Sequence, residues 1–483
     1  MSDNKLKEKT ISSLIWSSCQ RFGTIFLAFV GNLILARFLT PEDFGLLGML
    51  TIFISISEVF IDSGLGQALI QKDNPSEVDY STVFWSNIFI SIIFYAILFF
   101  AAPAIANFYG MEILKTILRI KGTVLLIQAF RLVQITKFRK ELNFKLISCI
   151  LFFSSLVSTI VSIVLAFFGF GVWSLVVKTL LESFLKTLII NIVSKWKPLF
   201  TFSFGSFKSL FSFGGVMLVT SLVSKIYSSG QSLIIGKAFS AKTLGYYTQA
   251  AKLEEVPTTA IESVVNNVTF PMFSKIKGDA EKNQRALRKM LSHISYISFP
   301  MMIIFIICSE PIFDFLYSDV WLPSVPYFKY LCLVGMIFSI NAVYSNLIKA
   351  SGHRKSILDL QVTKRIIAMI LLILSLRFGI KGLLITRVLI EYAFLLANAR
   401  ITKKLFGYNI LKQIMTCLPN YLLSIFVGVI VYLLYNRLNV SNIIDIFINT
   451  ITYIVLYISI SWLLKFESFY SYKKIIFARM KKN

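Results

Sequence analysis

The chain has 483 residues, 56% of them hydrophobic, a mean hydropathy of +0.74, and 49 lysines and arginines against 24 acids. Charged residues make up 15%, against about 25% in soluble proteins, and they gather between long apolar runs. That excludes a water-soluble fold and leaves lipid as the solvent. The net charge of +25 flanks apolar spans, so it points to membrane orientation and anionic lipid, not to nucleic acid.

In chain order, 14 runs are long enough to cross a bilayer as helices, each needing about 20 apolar residues. The first six are Ser13–Leu39, Phe44–Ile70, Ser81–Ala106, Ile113–Gln134, Phe144–Phe168 and Val172–Val193. Six more follow: Phe211–Phe239, Leu244–Phe270, Met290–Tyr317, Val325–Ala350, Ser356–Leu376 and Gly379–Thr402. Ile414–Tyr435 and Ile443–Leu464 complete the set. The first run is too long for a signal-peptide core and suits a retained span. Pro257 and Pro300 fall inside spans and should kink them. Single cysteines inside apolar runs and two loop histidines suggest no metal site, and no cofactor is expected.

Basic residues fill alternate loops. Lys137, Arg139, Lys140 and Lys145 form one group, Lys275 to Lys289 another, and Lys473 to Lys482 the tail. The opposite loops offer little beyond Arg37, Lys237, Lys242, Arg377, Lys381 and Arg437. Both termini are therefore expected to be cytoplasmic in a multi-pass inner-membrane protein.

The chain also repeats at an offset of 200 residues. Leu33-Ile34-Leu35-Ala36-Arg37 matches Leu233-Ile234-Ile235-Gly236-Lys237, Phe44-Gly45 matches Leu244-Gly245, and Ile61-Asp62-Ser63 matches Ile261-Glu262-Ser263. Near each half's end Lys178 and Glu182 answer Arg387 and Glu391, at an offset of 209. The repeat covers six spans, so the halves face the same way and should be related by a pseudo-two-fold along the membrane normal. The expected fold is thus an all-α integral membrane protein with two six-helix lobes, two further C-terminal helices and a central cavity. Residues 1–200 form the N-lobe, 201–405 the C-lobe, and 406–483 spans 13 and 14 with a basic cytoplasmic tail.

The sequence resembles the polysaccharide flippases of the multidrug/oligosaccharidyl-lipid/polysaccharide exporter superfamily. The resemblance is carried by Leu33 through Gly45, Asp62 through Gln71, Leu233 through Lys237 with Leu244-Gly245-Tyr246-Tyr247, Val268 through Lys275, and Phe168 through Val176. The branch it resembles often has an arginine two residues after the Tyr-Tyr; here Gln249 stands there and Lys252 follows. The resemblance implies two six-helix lobes around a cavity. It also implies export of an undecaprenyl-pyrophosphate-linked sugar repeat unit from the inner to the outer leaflet, for O-antigen, capsule or exopolysaccharide. Pathway partners would be a polysaccharide polymerase and glycosyltransferases.

A lysine or arginine at mid-bilayer is unfavourable by about 2.5–3.5 kcal/mol on insertion scales, so it needs a cavity, a partner or a function. Arg21, Lys225, Lys252, Lys364 and Arg365 are such residues and are candidate contacts for the anionic head of a lipid carrier. Lys178–Glu182 and Arg387–Glu391 have the spacing to neutralise themselves along one helix face. Lys115 and Arg119 are expected to snorkel. Asp62 and Glu262, at matched repeat positions, and Glu58 and Glu254 are candidates for gating or for coupling to H+ or Na+; plain inter-helix hydrogen bonds remain the other reading.

No GxxxxGK[ST] loop is present, which argues against an ATP-driven pump. No long loop carries paired carboxylates, which argues against a membrane enzyme. A related antiporter of cationic drugs is the alternative, but it would want acids facing its cavity.

Overall fold

The computed structural model describes residues 23–62, 64–276, 278–352, 354–435 and 441–480, almost all helical. Arg21, Ser63, His353 and Arg437 lie outside the described residues. The chain divides into two compact units, Met1–Thr248 and Gln249–Asn483.

The first unit contains α1 (Gly23–Phe38), α2 (Pro41–Asp62), α3 (Leu65–Gln71), α4 (Glu77–Tyr109), α5 (Ile113–Ala129) and α6 (Leu132–Lys140). It continues with α7 (Phe144–Phe167), α8 (Val172–Val193), α9 (Phe204–Ala238) and the start of α10 (Ala241–Lys275). Thr40-Pro41-Glu42-Asp43 starts α2. The Thr40 amide donates to Asp43 Oδ2 at 2.9 Å and the Asp43 amide donates to Thr40 Oγ1 at 3.3 Å, satisfying helix-end donors. Ser240 caps α10 in the same way through the Thr243 amide at 3.0 Å.

The repeat leaves a reciprocal mark inside this unit. A Cβ on Gly45 would collide with the Ala241 carbonyl, and a Cβ on Gly245 would collide with the Pro41 carbonyl. Gly45 and Gly245, and Pro41 and Ala241, are 200 residues apart, so equivalent residues exchange equivalent contacts. Small residues let two backbones approach this closely.

Two expected spans are broken. Span two runs as one apolar stretch, Pro41–Gln71, interrupted at Gly64, whose φ of +66° and close contact with Gly214 leave no room for a side chain. The facing helix α9 bends by 58° between Ser212 and Met217. Span four separates into α5 and α6 at Phe130–Arg131. Carbonyls freed there are re-satisfied from α8: Thr187 Oγ1 donates to Ile127 O at 3.1 Å and Asn191 Nδ2 to Phe130 O at 3.2 Å. Such compensation is what an apolar surrounding demands. The connection after α8 is tied to α4, with Trp85 Nε1 donating to Leu199 O at 2.8 Å.

The second unit holds the rest of α10, α11 (Ala280–Ile307), α12 (Ser309–Leu316), a 3-10 turn (Asp319–Ser324) and α13 (Val325–Ala350). It ends with α14 (Arg354–Ser375), α15 (Gly379–Phe406), α16 (Ile410–Tyr435), α17 (Asn442–Leu463) and α18 (Glu467–Met480). α10 and α11 run through Pro257 and Pro300 without interruption. Helix α11 begins ten residues before the expected Met290 and ends at Ile307, not at Tyr317. Asp279 caps it by accepting from the Lys282 amide at 2.9 Å, and the Lys282 amide and ammonium hold its carboxyl below the usual range. The charged first turns are helical but too polar to count towards an apolar run.

Among the described residues, eight helical stretches are long and apolar enough to cross a membrane, and the bent α9 makes a ninth. One of the eight, Val362–Phe406, covers most of α14 together with α15; its 45 residues would measure about 68 Å as one helix, more than two bilayer cores. The chain is a multi-pass α-helical membrane protein.

Candidate functional site

The first unit gathers ionisable side chains from α2, α5, α6 and α8. Gln128 Nε2 lies 3.4 Å from Glu58 Oε1, and the Glu58 carboxylate acts electrostatically on both Lys121 and Arg131. Arg131, at the α5–α6 break, donates through Nη1 to Ser183 Oγ at 3.0 Å and also feels Glu182. Glu182 is bonded to Lys186 at 2.5 Å, while Lys178 stands one turn earlier on the same helix. Four cations thus share two carboxylates. A pocket of about 310 Å³ opens beside Lys178, Glu182 and Lys186, closed by Thr24 and Ala28 of α1 and Ser155 of α7. Helix α7 meets the pocket through Leu151 and Ser155 and carries a stripe of small buried residues, Ser154, Ser155, Ser158, Thr159 and Ser162, which lets the helices pack closely.

The second unit builds a different network. Thr258 Oγ1 donates to Glu254 Oε1 at 2.5 Å, Arg387 acts on the same carboxylate, and Glu254 Oε1 fills the space that a Cβ on Gly335 would need. Glu391 Oε2 accepts from Asn341 Nδ2 at 3.2 Å and lies 4.0 Å from Lys364 Nζ. Asn398 Nδ2 donates to Asn341 Oδ1 at 2.9 Å, and the Lys364 ammonium sits 3.7 Å from the Phe394 ring centre. Here three cations, Lys364, Arg365 and Arg387, meet three carboxylates, Glu254, Glu255 and Glu391.

The residues singled out by sequence fall in several places. Lys225 is exposed on α9 and Lys252 on α10, in different units. Arg365 follows the paired Lys364 on α14 and is half-buried. Asp62 sits at the α2–α3 break, within electrostatic reach of Arg139. Glu262 lies 3.5 Å from Asn266 Nδ2, and Asn266 Oδ1 accepts from Asn346 at 2.8 Å. Glu182 bonds to Lys186 and also lies within electrostatic reach of Lys178, and Glu391 lies 4.0 Å from Lys364 of another helix. Arg119 donates through Nε to Phe99 O at 3.2 Å.

Sequence reasoning passed over Lys121, Arg131 and Lys186. The available signal was the charge carried by span four, together with the second i,i+4 partner of Glu182.

The family model described as "Polysaccharide biosynthesis protein" matches residues 34–326. The chain is 26% identical to the teichuronic acid biosynthesis protein TuaB of Bacillus subtilis, over 69% of each chain. It is 24% identical to the lipopolysaccharide biosynthesis protein WzxC of Escherichia coli, over 72% of this chain and 71% of that one. With the succinoglycan biosynthesis transport protein ExoT of Rhizobium meliloti the figures are 25%, 71% and 70%. Among solved structures, the inward closed lipid II flippase MurJ superposes with a TM-score of 0.72 at 18% identity, covering 94% of this chain and 99% of that one. An inward-facing multidrug resistance transporter of the MATE family superposes with a TM-score of 0.60 at 15% identity, covering 81% and 98%. With this fold, and a family match over well over half its length, the chain belongs to the polysaccharide biosynthesis protein family of membrane proteins.

Proposed function

We propose that this protein is a flippase that moves an isoprenoid-pyrophosphate-linked oligosaccharide from the inner to the outer leaflet of a bacterial cytoplasmic membrane. The observation that carries the reading is the first unit's excess of cation, four basic side chains around Glu58 and Glu182 inside an apolar fold. Cations held within a membrane protein need a wet pocket or an anionic ligand. A pyrophosphate is such a ligand, while its isoprenoid tail stays in lipid. The parts of TuaB, WzxC and ExoT in teichuronic acid, lipopolysaccharide and succinoglycan biosynthesis, and the fold shared with the lipid II flippase MurJ, support the same class of cargo. A cationic drug would be repelled by this surplus, which sets the antiporter alternative behind.

In this reading both termini are cytoplasmic, following the loop charges. Arg21, Lys225 and Lys252 are the first contacts of the pyrophosphate, with Arg365 further along and Lys364 reaching the cargo only by leaving Glu391. Arginine suits them best because its planar fork matches phosphate oxygens, whereas lysine is a point charge. Asp62, Glu262, Glu58 and Glu254 are the positions where H+ or Na+ would couple, and a polymerase and glycosyltransferases would share the pathway. The test is complementation of a flippase-deficient strain, with membrane abundance measured in parallel. Arg21→Ala should abolish export at normal abundance and Arg21→Lys should keep part of it. Full export by the Arg21→Ala, Lys225→Ala and Lys252→Ala single variants would remove these residues from the anion site.

A further inference from the structure

A basin in the second unit lies away from both charge networks. It has a volume of about 670 Å³ and forms where α11 begins, α16 begins and α17 hands over to α18. That volume falls within the range of about 300–1,000 Å³ usual for small-ligand sites. Three helix ends meet there, so the basin lies at one membrane face, the one that the loop charges make cytoplasmic. Arg285 and Arg288 of α11 and Lys412 of α16 bring three cations to it, and Glu467 of α18 brings one carboxylate.

We propose that Arg285, Arg288 and Lys412 form a second phosphate site, which holds the anionic headgroup of a membrane lipid at this rim. The present partners of the arginines are weak. Arg288 lies 2.8 Å from Glu467 and Arg285 3.6 Å from Glu281, with every one of these side chains more than half exposed. Exposed pairs of this kind contribute little, whereas a phosphate offers more charge and a bidentate geometry to each guanidinium.

The floor is already built. Ser292 and Ser468 hydroxyls meet at 2.6 Å, and Asn420 Nδ2 donates to Ser292 O at 3.0 Å and to Ser295 Oγ at 2.7 Å. The floor therefore holds its shape without a ligand and leaves the recognition to the cations. The wall below is apolar: Met415 and Leu464 are each 64% exposed, where acyl chains would lie. Cations above an exposed apolar wall favour a lipid phosphate over a free one, and basic pockets between spans on the cytoplasmic side are where anionic headgroups bind.

The site needs only that the chain be embedded in a membrane, so it stands or falls separately from flipping. The experiment uses the full chain purified with a mixture of phosphatidylglycerol and phosphatidylcholine, and native mass spectrometry counts the lipids retained. The wild type should retain phosphatidylglycerol selectively, and the combined Arg285→Ala, Arg288→Ala, Lys412→Ala variant should lose that retention by roughly tenfold to a hundredfold. Glu467→Gln, which removes the competing carboxylate, should raise it, a change that damage to the fold would not produce. Inorganic phosphate at constant ionic strength forms the second arm. Thermal protection of the wild type but not of the triple variant, with no lipid retained, would keep the phosphate site and assign it to a free anion. Equal, measurable lipid retention by wild type and triple variant, no retention together with no phosphate protection, or a fall on Glu467→Gln would overturn the proposal.

Discussion

Helices α8 and α15 occupy equivalent places in the repeat, yet their acids are held in opposite ways. Glu182 of α8 bonds to Lys186 of its own helix, and the neighbouring Lys178, Arg131 and Lys121 leave the region with surplus positive charge. Glu391 of α15 is pinned by Asn341 of α13 and faced by Lys364 of α14, so its charge is spent on joining three helices. The offset of 209 residues sets an acid at the same place on both helices. The partners each acid has make the second network a structural clamp and leave the first with charge that a ligand can use.

The largest effect should come from removing the clamp. Glu391→Ala strips Lys364 and Asn341 of a common acceptor and leaves an ammonium inside the helix bundle. Breaking a buried pair by deleting one member destabilises by about 3–5 kcal/mol in soluble proteins, and membrane helices often find substitute partners. The expected loss is near the lower end, about 3 kcal/mol. It should appear as a clear fall in Tm, followed by tryptophan fluorescence of the detergent-purified protein. Adding Lys364→Met should recover part of it. An unchanged Tm in Glu391→Ala would make the two networks alike and end the comparison.

Much of this fold can be read from apolar run lengths. The expected Val325–Ala350 coincides with α13, and Val172–Val193 with α8, because the polar residues in each are spaced singly among apolar ones. The failures share a cause. The start of α11 carries Lys282, Arg285, Arg288 and Lys289, so its first turns look like loop, and α18 is hidden by its polarity in the same way. The break at Phe130–Arg131 carries no proline or glycine; side chains of α8 permit it, and α8 is more than forty residues away in sequence. Of the two charge networks, sequence marked Glu58, Glu254, Lys364 and the two i,i+4 pairs as charged positions inside spans. It could not say that Glu391 would choose Lys364, because that choice depends on how α14 packs against α15.

The second effect concerns a glycine in the clamp unit. Gly335 lies in the helical backbone of α13, and the room where its Cβ would stand is taken by Glu254 Oε1, with Thr258 Oγ1 close behind. Gly335→Ala should push Glu254 away from Thr258 and destabilise the protein by about 1–3 kcal/mol, the usual range for overpacking. That would occur despite alanine's better helix propensity, worth about 1 kcal/mol. The double variant Gly335→Ala, Glu254→Ala should be more stable than Gly335→Ala alone. Additive losses in that cycle would mean that the carboxylate does not depend on the glycine.

The smallest stability effect is expected in the first unit, and it tests the comparison most directly. Lys178 and Lys186 both border the pocket beside Glu182. One lysine is enough to balance that carboxylate, so the other can be lost with little strain. Single changes Lys178→Gln and Lys186→Gln should each lower stability by less than about 1 kcal/mol, in line with polar contacts measured between membrane helices. If surplus cation serves the cargo, export should nevertheless fall while membrane abundance and Tm hold. The double variant separates the two roles further. It leaves Glu182 with Arg131 as its remaining near cation, so stability should drop by more than the two single losses together, as expected for residues that share one partner. Unchanged export in both single variants would mean that the pocket is as self-contained as the clamp, and that the cation surplus has no part in transport.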